Sequence, residues 1–266
     1  MYVVKKPFDI GLIIYRPDRD VAGFHIEFSP ESLYKPGVLF EAIKVFSEYN
    51  ISILHIAVSR PTQNKPIDIV IFTDLTGKLD LKDEIAEKLH KIREVENVHV
   101  INQAYKGLAG CITFFPLIFL GDRCIILRKP GYKALIRALE KRYGSALSTI
   151  LFEMGFEMGG EYFEDHSRYF GKSLDLLIKS LYLFAPTVGF GLIKDVYINL
   201  EKREISVQIY DNFECKLFLG SGKPSSNFVR GIFSGWCSKL FGEKIVLLET
   251  KCIAKGDPYC EFIKSK

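Results

Sequence analysis

Between residues 22 and 102 the apolar residues twice change period from two to about 3.6 and back, and this restricts the fold more than any other feature of the chain. Residues 22–30, AGFHIEFSP, alternate as a strand does, and Pro30 ends them. Val38, Leu39, Ala42, Ile43 and Phe46 then form the apolar stripe of a helix. Lys35-Pro36-Gly37 opens it, at a position where proline's missing N–H leaves nothing unpaired. Residues 50–58 and 66–74 read as two further strands, joined by the polar loop 59–65 with its Pro61. Leu81, Ile85, Leu89 and Ile92 mark a second helix within 79–93, and residues 95–102 supply another strand. The order βαββαβ predicts a ferredoxin-like module of four antiparallel strands with both helices on one face.

Beyond a connector at 103–110, rich in small and polar residues, the pattern changes. Residues 112–128 read as two strands joined near Gly121-Asp122. A helix over 132–142 is expected to turn Ala134, Leu135 and Leu139 inward. A longer helix over 147–163 carries Gly155, Gly159 and Gly160. Each glycine costs a helix about 1 kcal/mol, so their recurrence implies close packing against a neighbour. A helix at 173–184, strands at 189–199, 205–210 and 214–219, a helix at 227–240 and a strand at 244–249 follow. The fold class is therefore α+β. A first module of residues 1–105 precedes a second domain of residues 106–266, with an antiparallel sheet and packed helices. A chain of 266 residues exceeds the usual single-domain size, in keeping with two domains.

The net charge of +4 is a small excess, and Lys and Arg are interleaved with Asp and Glu, so the sequence gives no case for nucleic-acid binding. Lys202-Arg203 is flanked by Glu201 and Glu204 and reads as a solvated turn. The N-terminal MYVVKKPFDIGLIIY is broken by Lys5, Lys6 and Asp9 and is not a secretory signal. The apolar run from Leu108 to Leu120 is shorter than the roughly 20 residues a membrane span needs; its composition fits a buried strand. A cytoplasmic location is expected, with the six cysteines free, metal-bound or buried rather than disulfide-linked. No dinucleotide or phosphate loop is present, His55 reads as a core or edge residue, and His166 as a helix-end residue or a site. No catalytic constellation stands out.

The stretch at 249–262, ETKCIAKGDPYCEF, places seven residues between Cys252 and Cys260, with Gly-Asp-Pro between them and Glu249 three residues ahead of the first. Spacing alone leaves a metal site, a redox pair and a plain hairpin open, since the strong zinc signature has two to four residues between cysteines.

The segment PGVLFEAIKVFSEYNISILHI resembles the start of an ACT domain. The resemblance implies a module that senses an amino acid or other small molecule, with Gly37 at the turn where a ligand approaches the backbone. Tyr34 and Lys35 stand where Asp-Arg is common. In the second half, DRCIILRKPGYKALIRALEKRYG, ILFEMGFEMGGEYF, GFGLIKDVYINL, NFVRGIFSGWCSKLFG and ETKCIAKGDPYCEF occur in the order found in the V4R (4-vinyl reductase) domain of predicted hydrocarbon-binding proteins and aromatic sensors. That resemblance implies one structural zinc held by cysteines and a glutamate, beside a buried pocket for a small apolar or aromatic molecule. Glu249, Cys252 and Cys260 match directly; Ser226 stands where the family has a further cysteine. The fourth ligand is expected from Cys215, with Cys237 as the alternative. Phe190, Tyr197, Phe213, Phe228, Phe233 and Trp236 fall where a ligand pocket is expected; aromatics serve plain core packing as readily. Together these imply a non-enzymatic, homodimeric ligand sensor. A reductase acting on a vinyl group of a tetrapyrrole-like substrate and a dimeric scaffold are the alternatives.

Overall fold

The computed structural model describes residues 6–62 and 64–264. Met1–Lys5, the beginning of the stretch judged above against a secretory signal, and Gln63 in the loop 59–65 lie outside the described residues. The chain forms two compact units, Met1–Ile125 and Ile126–Lys266.

In the first unit, β1 (Ile13–Tyr15) precedes β2 (Val21–Phe28), α1 (Val38–Glu48), β3 (Ser52–Val58), β4 (Ile67–Asp74), α2 (Lys82–His90) and β5 (Val95–Asn102). The sheet runs β3-β4-β2-β5 and is antiparallel throughout, as the βαββαβ order requires. Period two decides which side each β2 residue takes. Ala22, Phe24, Ile26 and Phe28 pack with Val38, Ala42 and Phe46 of α1 and with Ile85 and Leu89 of α2. His25 and Glu27 therefore face the other side of the sheet. Phe24 and Phe46, both fully buried and edge-to-face at 5.2 Å, each contribute roughly 1.5–3 kcal/mol by burial. Leu39, assigned to the apolar stripe by sequence, is exposed, while Val45 takes an inward place.

The first unit extends past residue 105 because β6 (Leu108–Gly110) pairs with β1, and Ala109 packs with Val21, Val70 and Phe72. The two strands expected over 112–128 shrink to a ladder of β7 (Ile118–Phe119) and β8 (Asp122–Arg123). Pro116 has no N–H to give a ladder, and Ile112, Phe115 and Ile125 are exposed. The apolar run from Leu108 to Leu120 is accordingly not one buried strand.

The second unit contains α3 (Lys129–Tyr143), α4 (Leu147–Phe170), α5 (Leu174–Thr187), β9 (Leu192–Asn199), β10 (Glu204–Tyr210), α6 (Asn227–Phe241), β11 (Leu247–Lys251) and β12 (Cys260–Lys264). Its antiparallel sheet runs β11-β12-β10-β9. Val207, Ile209, Leu247 and Phe262 meet Phe233 and Trp236 of α6 and Leu177 and Leu181 of α5 in one core. On α3, Tyr132 and Ile136 face inward, and Ala134 and Leu135 do not; Tyr132, Ile136 and Leu139 are the i, i+4, i+7 set that shares a face. The strand expected over 214–219 is a 3-10 turn, Cys215–Leu217. Asn212 Oδ1 accepts the Glu214 N–H at 3.0 Å, so the side chain captures a donor that a sheet ladder would need.

Candidate metal centre

Three chain segments of the second unit converge on one point of its core. β10 ends at Tyr210, and the Asn212 turn swings Cys215 inward. β11 carries Glu249, and Cys252 follows its end. A tight reversal through Gly256, at φ 103°, returns the chain so that Cys260 begins β12. Asp257 fixes this reversal by accepting the Cys252 N–H at 2.8 Å. One donor atom each from Cys215, Glu249, Cys252 and Cys260 lies within 4.8 Å of every other.

The sulfurs of Cys215 and Cys252 are 3.4 Å apart, those of Cys215 and Cys260 3.6 Å, and Cys215 Sγ is 4.0 Å from Glu249 Oε1. A disulfide needs about 2.0 Å between sulfurs. A tetrahedron with zinc–sulfur bonds of about 2.3 Å has sulfur–sulfur edges of roughly 3.8 Å, and thiolates with a carboxylate are zinc donors. The cluster fits such an ion, and all three cysteines are fully buried.

Electrostatics point the same way. Burial, then the neighbouring Cys252 sulfur, raises the Glu249 carboxyl to about 9. Hydrogen bonds from Cys215 and Cys260 push the Cys252 thiol far down, and its hydrogen bonds with Cys252 and Cys260 hold the proton on Cys215 and push that thiol up. Without a cation, one anion in the cluster is stabilised at the expense of the others. A divalent cation removes that conflict, because each donor binds metal in its deprotonated form.

Ser226 contributes its backbone: its N–H donates to Glu249 Oε2 at 3.1 Å, and its hydroxyl accepts from Asn212 Nδ2 at 2.5 Å. Cys237 is buried in the same hydrophobic core outside the four-donor group, and burial raises its thiol to about 12. Sequence reasoning missed Glu214. It is fully buried and accepts the Phe228 and Val229 N–H groups at 3.0 and 2.9 Å, capping α6 from a turn fourteen residues upstream. The i−14 spacing gives no local capping signal, so only the fold reveals it.

The aromatic set is brought together only in part. Phe190 and Phe228 stack edge-to-face at 6.1 Å, and Phe213 packs on Tyr132 at 4.9 Å beside Phe228. Phe233 and Trp236 lie in the main core, packed on Phe262 and Phe163. Tyr197 is half exposed and donates to Glu204, apart from the others. In the first unit Gly37 has φ 93° and caps α1. A side chain there would meet no atom within 4 Å, and Gly37 borders a cleft of about 200 Å³ with Phe28, Val38 and Ile67.

Fold and site together define an α+β protein of two modules, one ferredoxin-like and one built around a Cys/Glu cluster. The ACT domain model matches residues 35–94 and the V4R domain model residues 205–266, so the chain carries both domains. Two uncharacterized proteins of Methanocaldococcus jannaschii are similar to it. One is 28% identical over 120 residues, 45% of this chain and 65% of the relative. The other is 31% identical over 99 residues, 35% of this chain and 59% of the relative. The chain thus spans less than two thirds of either. Among solved structures, the phenol-responsive sensory domain of the transcription activator PoxR with phenol is similar at 20% identity and a TM-score of 0.49, over 58% of this chain and 82% of that one. No helix among the described residues is long and apolar enough to cross a membrane.

Proposed function

We propose that this chain is a non-enzymatic regulatory protein that binds a small apolar or aromatic molecule and whose second unit is held together by one structural zinc. The convergence of Cys215, Glu249, Cys252 and Cys260 within 4.8 Å carries the zinc part. Four protein donors close a tetrahedral shell and leave no position for a reactive water, which is the arrangement of a structural site. The ligand part is supported by the joining of an ACT domain to a V4R domain. Phe190, Phe213 and Phe228, partly buried neighbours at the end of the core near α3, are the side chains that would line its pocket. The protein would work as a homodimer in the cytoplasm, where the thiols stay reduced.

Native mass spectrometry of the intact chain, purified under reducing, chelator-free conditions, tests this. The expected mass is the chain plus one zinc plus a co-purified apolar molecule of low mass. A chain that carries neither would overturn the reading.

A further inference from the structure

On the face of the first sheet turned away from its helices, the register assembles a second set of metal-binding side chains. β2 pairs with β5 so that His25 lies opposite His99, and with β4 so that Glu27 lies opposite Asp68. His25 and Glu27 are two residues apart and share a face. The four residues therefore form a staggered, Z-shaped set on three adjacent strands, built from backbone pairing rather than from a loop. His25 Nε2 is 2.8 Å from Asp68 Oδ1, His99 Nε2 is 3.4 Å from Glu27 Oε1, and the two rings are 5.7 Å apart. Donor atoms of His25, Glu27 and Asp68 all lie within 4.8 Å of one another.

Two observations show that the protein's own groups leave this cluster incomplete. Glu27 and Asp68 are carboxylates directly opposite on neighbouring strands, an unfavourable pairing unless a cation lies between them. The ion pairs they make among the described residues are with the two histidines, which are cationic only when protonated. His25 is 5% exposed, and its Nδ1 is buried without a hydrogen-bond partner among the described residues. Asp68 lies on Nε2, the nitrogen that would face an ion shared with Glu27 and Asp68, while Nδ1 is left unpaired on the other side of the ring. The cluster opens on a cleft of about 570 Å³, rimmed by Ser59, Arg60 and Lys65.

We propose that this sheet face binds a divalent transition-metal ion through His25, Glu27 and Asp68, with His99 at the rim as a further ligand. Imidazole with carboxylate suits zinc, nickel, copper and iron, whereas carboxylate alone would suit magnesium or calcium. The site is distinct in chemistry and position from the thiolate cluster, and its failure leaves the zinc reading standing.

The test is calorimetric titration of Ni2+ into the intact, untagged chain after zinc loading and removal of excess metal. One Ni2+ per chain is expected. His99→Gln and Glu27→Gln, both of partly exposed side chains, should each weaken binding by about tenfold or more, with circular dichroism confirming that they fold. His25→Gln should abolish uptake if it folds. Absence of Ni2+ uptake by the native chain, or equal affinity in the folded Glu27→Gln and His99→Gln variants, would overturn the proposal.

Discussion

Burial acts in opposite directions on two ionisable groups of the second unit. It raises the Glu249 carboxyl to about 9 and lowers the His166 imidazole to about 4, because each loses the solvent that favours its charged form. His166 is held neutral in a specific tautomer. The Trp236 indole can only donate, and its N–H points at His166 Nδ1 at 3.3 Å, so the proton resides on Nε2. Ser180 Oγ lies 2.9 Å from the same Nδ1 and donates to the Leu177 carbonyl. An unfolded histidine takes up its proton near pH 6.5, whereas native His166 does so near 4. Between those values the unfolded state binds more protons, so this residue's contribution to stability falls as pH falls from about 6.5 to 4 and levels off below. A histidine NMR titration should place the His166 midpoint well below that of a free imidazole; a midpoint at or above 6.5 would contradict the buried, neutral assignment. The alternative of a solvated helix end, open at the sequence level, fails at this residue because His166 is 3% exposed and ringed by Phe184, Phe170 and Trp236. Phe170 is the i+4 neighbour on α4, but Phe184 and Trp236 are 18 and 70 residues away, out of reach of a local pattern.

At the scale of elements, α4 and α6 pack backbone to backbone. Glycines on both sides permit it: a methyl group on Gly155 or Gly159 would collide with the carbonyl oxygens of Phe228 or Ile232, and one on Gly231 or Gly235 with those of Phe152 or Phe156. The recurrence of glycine in ILFEMGFEMGGEYF signals this contact without identifying the partner helix. Gly160 differs, since a methyl there would meet only the flexible Lys239 side chain at 3.4 Å. Gly159→Ala and Gly235→Ala should each destabilise the second unit by about 1–3 kcal/mol or more through overpacking. Gly160→Ala should be close to neutral or slightly stabilising, because alanine also gains helix propensity. Equal chemical-denaturation midpoints for all three variants would contradict the close-packed helix pair. Other elements were less legible. The segment 214–219, expected as a strand, forms a 3-10 turn at Cys215–Leu217, and the competing signal is a single Asn212 side chain. The stretch 112–128 reads as two strands joined near the turn pair Gly121-Asp122. Its pairing partners are what it lacks, and Pro116 with the exposed Ile112 and Phe115 marks where the ladder fails.

For the whole molecule, the two-unit organisation followed from the change of hydrophobic period. The division falls between Ile125 and Ile126, and the pairing of β6 with β1 carries the first unit past residue 105. The candidate metal centre was legible in three of its four clustered residues. Glu249, Cys252 and Cys260 stand in one motif, whereas Cys215, expected from a neighbouring strand, reaches the cluster from a 3-10 turn. The capping Glu214 and the sheet-face cluster of His25, Glu27, Asp68 and His99 were not legible, because both depend on register and turn geometry between distant segments. The central claim is that three thiolates and one carboxylate hold zinc inside the second unit. Zinc K-edge X-ray absorption on the intact chain, purified without added metal, tests it most directly. The account predicts about three sulfurs near 2.3 Å and one oxygen near 2.0–2.2 Å, with this sulfur shell lost or depleted in Cys252→Ser. An absence of bound zinc, or a first shell of nitrogen and oxygen without sulfur, would contradict it.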